Sequence, residues 1–320
     1  MTTPQQKERR VSLLMDSGAM DDKNWKKEEV KHRMKQYIKL WEKMQKDMTY
    51  TTSPVSYVEL KEQKMGRRKE VVEGAKEERD INTFMVINSH ENHHAIIDER
   101  GEILGYRYRI KLEHLETLEE TTAALPPAKV NAGNRGDYPT RHYSVWRDYS
   151  PIPYASADYR RELPASKEWC DKNKKLFDYL SDGLRNISPM TYVRYKGAEP
   201  YLQARHNLHW LCGVWLGVAI NQVVTGSTST HLDFGDSGYN CVVPWGEYTG
   251  GGLVLWQLEM IVELELGDAF FFMGSLIAHN VGEIEGVRNS IDLFCHKNVL
   301  SWKDMCDEEK RGEKLSGERS

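Results

Sequence analysis

Apolar residues near the start of the chain recur at steps of three and four positions, the spacing that lines one face of a helix. They are Val30, Met34, Tyr37, Ile38, Trp41, Met44 and Met48. A second, highly charged helical stretch follows at about residues 57–79. We therefore predict a helical N-terminal extension over residues 1–82, whose apolar face docks on the rest of the chain or on a partner.

From Thr83 the pattern changes to short runs rich in β-branched and aromatic residues, which are typical of strands. Two such runs, residues 93–97 and 102–110, flank the turn sequence Asp-Glu-Arg-Gly and predict a hairpin. Residues 126–153 are rich in Pro, Gly, Asn, Arg and Tyr and have no periodic apolar face. We interpret them as a long surface loop, the kind of segment that often carries substrate contacts.

A helix is predicted next, because four apolar residues lie at helical spacing before a proline at position 189, which disfavours helical geometry in the residue before it. These residues are Trp169, Phe177, Leu180 and Leu184. From Leu211 onward strands dominate, separated by short glycine-containing turns. The runs are VWLGVAINQVV, YNCVVPWG, GLVLWQL, MIVELEL, DAFFFMG and RNSIDLFCH. Closely spaced strands of this kind predict an antiparallel barrel or jelly roll.

Together these patterns predict an α+β fold with a double-stranded β-helix (jelly-roll) core and N-terminal and flanking helices. We place one domain at residues 83–302, with its jelly-roll core at residues 190–302. Residues 303–320 carry few apolar side chains, and we predict that they form a disordered tail.

Composition narrows the function classes only a little. The net charge is −4 with 29% charged residues, which excludes a strongly basic, histone-like composition but not a local basic groove. The five cysteines are an odd number without CxxC spacing, which argues against a disulfide framework and a zinc finger. There is no apolar run of the roughly 18 residues that a membrane span needs, and no apolar leader. We expect no membrane partner and a location in the nucleus or the cytoplasm.

One group of residues predicts a metal centre. His231 and Asp233 lie two apart in an extended segment, so their side chains point to the same side and can bind one ion together. His279 lies at the end of another predicted strand and supplies a third ligand. Two histidines and one carboxylate are the ligand set of mononuclear non-haem Fe(II), which leaves positions open for O2. A zinc hydrolase also uses such ligands and is the alternative at this point.

Arg288 follows His279 by nine positions, and its planar guanidinium suits bidentate binding of a carboxylate. We predict that it binds the distal carboxylate of 2-oxoglutarate, a co-substrate whose keto-acid end chelates iron. Asn221, on the strand before His231, is a candidate for hydrogen bonding to that chelating end, or else bonds the backbone of the barrel.

The order of these motifs resembles the fungal and protist branch of the TET/JBP dioxygenases. The match comprises HxD, a GGxLxL hairpin, GDxxFF leading to a histidine, then arginine and a strand ending in FxH, over about residues 211–302. The resemblance implies Fe(II), 2-oxoglutarate and O2 as cofactors. It also implies DNA with a flipped modified base as the partner, with 5-methylcytosine as the first choice and N6-methyladenine as the second.

The resemblance further implies roles for three residues. Asp236 corresponds to a residue that hydrogen-bonds the amino edge of the flipped base, Phe294 to an aromatic that stacks on it, and His296 to a histidine that bonds it. The alternatives are a turn cap, a core aromatic and a structural histidine, respectively. For the whole chain the alternatives are the same oxidation of a protein side chain or small molecule, as in prolyl hydroxylases, and a non-catalytic jelly-roll binding module.

Overall fold

A computed structural model describes residues 48–88, 93–131, 138–206 and 212–317. The amphipathic helix predicted between Val30 and Met48 lies outside these residues, apart from Met48 itself, which begins a strand. The charged stretch at 57–79 forms two helices, Tyr57–Gln63 and Arg68–Lys76, instead of one. In the described part of the chain, helices are too short or too polar to cross a membrane.

The strands are β1 Met48–Thr52, β2 Met85–Ile87, β3 His93–Ile97, β4 Ile103–Arg109, β5 Val130–Asn131, β6 Tyr138–Trp146, β7 Tyr154–Ala155, β8 Gly217–Gly226, β9 Asn240–Gly250, β10 Leu253–Leu255, β11 Met260–Val262, β12 Asp268–Phe272, β13 His279–Val281 and β14 Ile284–Phe294. The remaining helices are Leu112–Ala123, Ala157–Arg161, Leu163–Lys172, Lys174–Ile187, Pro189–Lys196, Glu199–His206 and Lys297–Gly317.

These strands form two sheets. The larger has the order β1-β3-β4-β12-β9-β14-β8-β6-β5, with β7 beside β6, and the smaller has the order β13-β10-β11-β2. Pairing is antiparallel except at β1–β3 and β11–β2. The predicted hairpin is confirmed, because β3 and β4 pair across the turn that contains Gly101. The predicted α+β class with a jelly-roll core is confirmed as well.

The helix Lys174–Ile187 covers the outside of the larger sheet. Phe177, Leu180 and Leu184 are buried on one face, as their spacing predicted, and the helix ends directly before Ser188. Gly183 permits close contact with the sheet, because a Cβ there would lie 3.0 Å from the ring of Phe271. Burial of these side chains removes a large apolar area from water and fixes the sheet from behind.

The prediction of a surface loop at residues 126–153 is wrong. The segment contains β5 and β6, and β6 pairs with β8 inside the larger sheet. The strand was not recognised because the segment is polar. Arg141 and Tyr143 are nevertheless buried, and both bond Glu162: its Oε2 lies 3.1 Å from Arg141 Nη1 and 2.7 Å from the Tyr143 hydroxyl. Buried charge is tolerated where it is paired and hydrogen-bonded in this way.

Two expected boundaries also change. Helices occupy residues 189–206, where the core was expected to begin, and the next strand, β8, begins at Gly217. The strands β3, β4 and β6, which come before residue 190, belong to the same larger sheet. The disordered tail expected at residues 303–320 is wrong up to residue 317, because Lys297–Gly317 is one helix. Trp302 and Cys306 of this helix lie four residues apart and are both buried. They form a short apolar face, which was not recognised in the sequence because charged residues surround it.

Candidate active site

The backbone places His231 and His279 side by side. They form an antiparallel bridge, in which each N–H donates to the other's carbonyl oxygen at 2.9 Å. Two residues on, the Asp233 N–H donates to the carbonyl oxygen of Gly274 at 2.9 Å and continues the pairing. Because residues two apart share a face in extended chain, His231 and Asp233 project toward His279.

The three side chains converge on one point. Asp233 Oδ1 lies 3.9 Å from His231 Nε2, and Asp233 Oδ2 lies 3.5 Å from His279 Nε2. One potential ligand atom from each residue lies within 4.8 Å of the other two. Asp233 and His279 are buried, whereas His231 is partly exposed, so the group is open on one side. The donor set and its spacing fit a single divalent ion with three protein ligands.

Backbone carbonyls prepare both imidazoles for metal binding. Nδ1 of His231 lies 2.8 Å from the carbonyl oxygen of Ser229, and Nδ1 of His279 lies 2.8 Å from that of Ile277. A carbonyl oxygen only accepts, so each Nδ1 carries the proton. Each Nε2 is then left with its lone pair facing the centre of the group, the tautomer that coordinates a metal.

Asn240, at the start of β9, holds the carboxylate of Asp233 from behind. Its side-chain amide nitrogen donates to Asp233 Oδ2 at 3.3 Å and to Asp236 Oδ2 at 2.9 Å. Gly274 makes room for this arrangement, because a Cβ there would lie only 2.8 Å from Asp233 Oδ2. The buried amide therefore joins the predicted metal ligand to a predicted substrate residue.

Arg288 is a buried cation on β14 with unused hydrogen-bonding capacity. Its side chain is almost fully buried, and its Nε and Nη2 atoms have no hydrogen-bond partner among the described residues. Burial lowers the pKa of the guanidinium, and Tyr248 partly offsets that shift, with its ring centroid 5.6 Å from Arg288 Cζ. An arginine nonetheless stays charged in proteins. Buried donors of this kind fit an incoming carboxylate such as that of 2-oxoglutarate.

Asn221 lies on the neighbouring strand β8, two residues before Val223, the residue opposite Arg288. It pairs with Ser290 of β14 and Thr140 of β6, whereas Arg288 pairs with Val223. Its Oδ1 accepts a hydrogen bond from Thr140 Oγ1 at 2.7 Å. The contact of Asn221 with 2-oxoglutarate stays a prediction. Its side-chain carbonyl oxygen already accepts the hydrogen bond from Thr140.

Of the residues predicted to bind a base, Asp236 lies next to the metal group, and His296 and Phe294 lie beyond it. Asp236 and His296 form a backbone bridge, and the Asp236 N–H donates to the carbonyl oxygen of Asp233 at 2.8 Å. Phe294 and His296 are buried beside the indole of Trp146, with ring-centroid distances of 5.7 and 5.2 Å. The structure therefore brings all three predicted residues to one end of the site.

Asp148 Oδ1 lies 3.3 Å from Nε2 of His296. Burial lowers the pKa of His296, and Asp148 only partly counteracts that effect. Sequence reasoning missed Asp148 and Trp146, because both lie in the segment interpreted as a loop. It also missed Asn240, which bonds Asp233 and Asp236 just before β9, and Tyr248, which meets Arg288 only when β9 packs beside β14.

No protein-family model matches the sequence, and no curated protein matches it. Among solved structures, the chain is similar to NgTET1 in complex with 5mC DNA, at 19% identity over 76% of this chain and 92% of that one, with a TM-score of 0.50. This likeness shows the fold.

Two further matches are more distant. One is a 2OG-Fe(II) oxygenase family oxidoreductase from Burkholderia pseudomallei, at 17% identity over 57% of this chain and 81% of that one, with a TM-score of 0.38. The other is a Pseudomonas putida prolyl-4-hydroxylase, at 14% identity over 60% of this chain and 92% of that one, with a TM-score of 0.35. Neither is close enough to argue from.

Proposed function

We propose that this protein is an Fe(II)- and 2-oxoglutarate-dependent dioxygenase, with His231, Asp233 and His279 as the metal ligands and Arg288 as the anchor of the co-substrate. The observation that carries the proposal is the convergence of two unprotonated Nε2 atoms and one carboxylate within 4.8 Å. The buried guanidinium of Arg288, whose Nε and Nη2 have no partner among the described residues, supplies a site for the co-substrate carboxylate.

Each residue then has a defined task. When bound together, Fe(II) and 2-oxoglutarate supply the oxidising power: O2 hydroxylates a substrate C–H bond while 2-oxoglutarate becomes succinate and CO2. The carbonyl oxygens of Ser229 and Ile277 hold the imidazoles in their ligand tautomer. Arg288 orients the co-substrate through its distal carboxylate. Val242 and the buried β10 strand, paired with His279, exclude water from the interior.

We propose a methylated base in DNA as the substrate, with 5-methylcytosine first and N6-methyladenine second. The resemblance of the motifs supports this choice, as does a fold shared with a protein that was solved in complex with 5mC DNA. The bridge between Asp236 and His296, and the packing of Phe294 and His296 against Trp146, support it too. A base must leave the duplex to reach such a centre, and is then held by stacking and by hydrogen bonds to its edge.

The alternatives differ in what they explain. Oxidation of a protein side chain or a small molecule would use the same metal group and Arg288 but gives no role to Asp236. A non-catalytic jelly-roll module gives no reason for two histidines in ligand tautomers around a carboxylate. We therefore keep the DNA-oxidising enzyme as the proposed function.

The test is incubation of the purified protein with Fe(II), 2-oxoglutarate and duplexes that contain 5-methylcytosine or N6-methyladenine. We expect oxidised nucleosides, identified by mass spectrometry, together with succinate. The same duplex without methyl groups is the matched control. Succinate production without any oxidised base contradicts the DNA substrate and favours a protein or small-molecule substrate. No succinate under any condition contradicts the dioxygenase itself.

A further inference from the structure

The segment that carries Asp233 is flanked by three cations. Lys297 Nζ donates to the carbonyl oxygen of Phe234 at 2.7 Å, and Arg68 Nη2 donates to that of Leu232 at 3.1 Å. The Phe234 ring has Lys64 Nζ 5.7 Å and Arg68 Cζ 5.9 Å from its centroid. We call Lys64, Arg68 and Lys297 the basic rim.

The basic rim is not neutralised by carboxylates. Across the described ranges, no member lies within 4.0 Å of an acidic oxygen, whereas Arg67 and Lys69, on either side of Arg68, pair with Glu70 and Glu73. The pKa of Lys64 is lowered, by burial first and then by repulsion from Lys297, with Asp236 partly offsetting both. Cations that crowd together without carboxylates within ion-pair distance favour the binding of an anion.

Two helix ends add to the positive potential. Arg68 is the first residue of the helix Arg68–Lys76, and Lys297 is the first residue of Lys297–Gly317. The N-terminus of a helix carries a partial positive charge that favours phosphate groups. Both helices begin at the segment of residues 232–236, since Arg68 bonds Leu232 and the Lys297 N–H donates to the carbonyl oxygen of Gly235 at 2.8 Å.

The rim borders the predicted base pocket. Lys297 directly follows His296, and His296 forms a bridge with Asp236. Among the described residues, the Arg68 guanidinium, with its five N–H donors, makes one hydrogen bond, and the Lys64 ammonium makes none. N–H donors are therefore left over beside the predicted base pocket.

We propose that Lys64, Arg68 and Lys297 bind backbone phosphates of the DNA strand that presents the flipped base. This inference rests on the proposed DNA substrate. Phosphate contacts of this kind set the position of a strand and do not read its sequence. A purely structural role is the competing explanation for Arg68 and Lys297, which bond the loop; Lys64 has no such bond and is the residue to test first.

The experiment measures the affinity of the full chain for a fluorescently labelled 5-methylcytosine duplex at several salt concentrations. Lys64→Gln removes one charge, and Lys61→Gln is the matched control, because Lys61 also sits over a ring, that of Tyr57 at 5.3 Å, but outside the rim. We expect the slope of log affinity against log salt to fall by about 0.9 for Lys64→Gln and by roughly three times that for the triple rim variant. Lys61→Gln should keep the wild-type slope.

Two further results follow from a phosphate contact. Lys64→Arg, which keeps the charge, should restore the wild-type slope, and Lys64→Gln should weaken methylated and unmethylated duplexes equally. Thermal unfolding of each variant separates lost contacts from lost structure. A wild-type slope in folded Lys64→Gln and triple variants overturns the inference, and so does a wild-type protein that binds no duplex.

The two proposals fail in different ways. If the wild-type protein oxidises methylated DNA and the rim variants keep the wild-type salt slope, only the proposed role of the basic rim is rejected. Binding whose slope depends on the rim, without any oxidised nucleoside by mass spectrometry, rejects the proposed substrate chemistry and leaves the phosphate contacts standing.

Discussion

The side-chain amide of Asn240 donates hydrogen bonds to both Asp233 and Asp236, at 3.3 and 2.9 Å. Ionised carboxylates only accept, so the amide nitrogen, and not the amide oxygen, must face both of them. One buried group thus fixes the proposed metal ligand and the proposed base-edge acceptor relative to each other. Asn240 is a positioning residue, because it acts through these two carboxylates.

The first prediction concerns Asn240→Leu, which keeps the volume of the side chain and removes both donors. We expect Fe(II) affinity to fall about ten- to a hundredfold, the usual effect of losing a hydrogen bond to a metal ligand. Product formed on methylated DNA per succinate should fall as well, because Asp236 loses its support. Iron titration and coupled product assays measure both, with Asn82→Leu at an exposed site as the control. Unchanged iron affinity in a folded variant contradicts the positioning role.

The second prediction concerns Arg288→Lys, in which a point charge replaces a planar fork. Losing one charge-assisted hydrogen bond costs about 1.5 to 3 kcal/mol, which raises the 2-oxoglutarate concentration needed for half-maximal succinate production roughly ten- to a hundredfold. Iron binding should persist, because Arg288 is not among the three proposed ligands. An unchanged 2-oxoglutarate requirement means that another cation holds the carboxylate.

Much of the metal group could be predicted from the sequence because its geometry is local. The alternation of an extended chain puts His231 and Asp233 on one side whatever the rest of the fold does. His279 and Arg288 lie on predicted strands of the same barrel. The predicted fold class therefore led us to expect their side chains near His231 and Asp233. The structure brings His231, Asp233 and His279 together, and the chemical roles of these three residues and of Arg288 stay predictions.

What could not be predicted depends on tertiary partners. The strand β6 contains Arg141, a residue type that is typical of exposed segments. It is buried here because it pairs with Glu162, 21 residues later in the chain. Trp146 and Asp148 were hidden with that strand. Asn240 differs in that its partners, Asp233 and Asp236, are near in the chain, but the sequence does not show that the turn before β9 brings both carboxylates to its amide. Polar residues that are buried by a distant partner leave no periodic signal in the sequence.

The third prediction tests the stacking role of Phe294, which is buried beside Trp146 and His142. Phe294→Leu keeps apolar volume but loses the aromatic face. Stacking on a base is worth about 1 to 3 kcal/mol, so oxidised base per succinate should fall roughly ten- to a hundredfold. Nucleoside mass spectrometry beside a succinate assay gives this ratio. A constant ratio together with a lowered melting temperature identifies Phe294 as a core residue only.

The fourth prediction concerns stability and pH through His94. Burial, and secondly Arg107, lower the pKa of His94 from 6.5 to about 4, while Thr49 and Thr51 bond its two ring nitrogens. Below pH 6.5 the unfolded chain binds a proton that the folded protein does not, so stability falls as pH drops toward 4. His94→Gln should weaken this dependence. Melting temperatures at pH 7.5 and 5 check it, and an equal drop in both proteins contradicts the assignment.

Both histidines of the proposed metal centre face Asp233. The most direct test of this centre is succinate production with Fe(II), 2-oxoglutarate and a 5-methylcytosine duplex. For Asp233→Ala we predict loss of iron binding and of turnover, because one of three protein ligands is gone. Asp178→Ala, which removes an exposed carboxylate on the outer helix, should match wild type. Undiminished succinate production by folded Asp233→Ala contradicts the metal centre and with it the proposed dioxygenase.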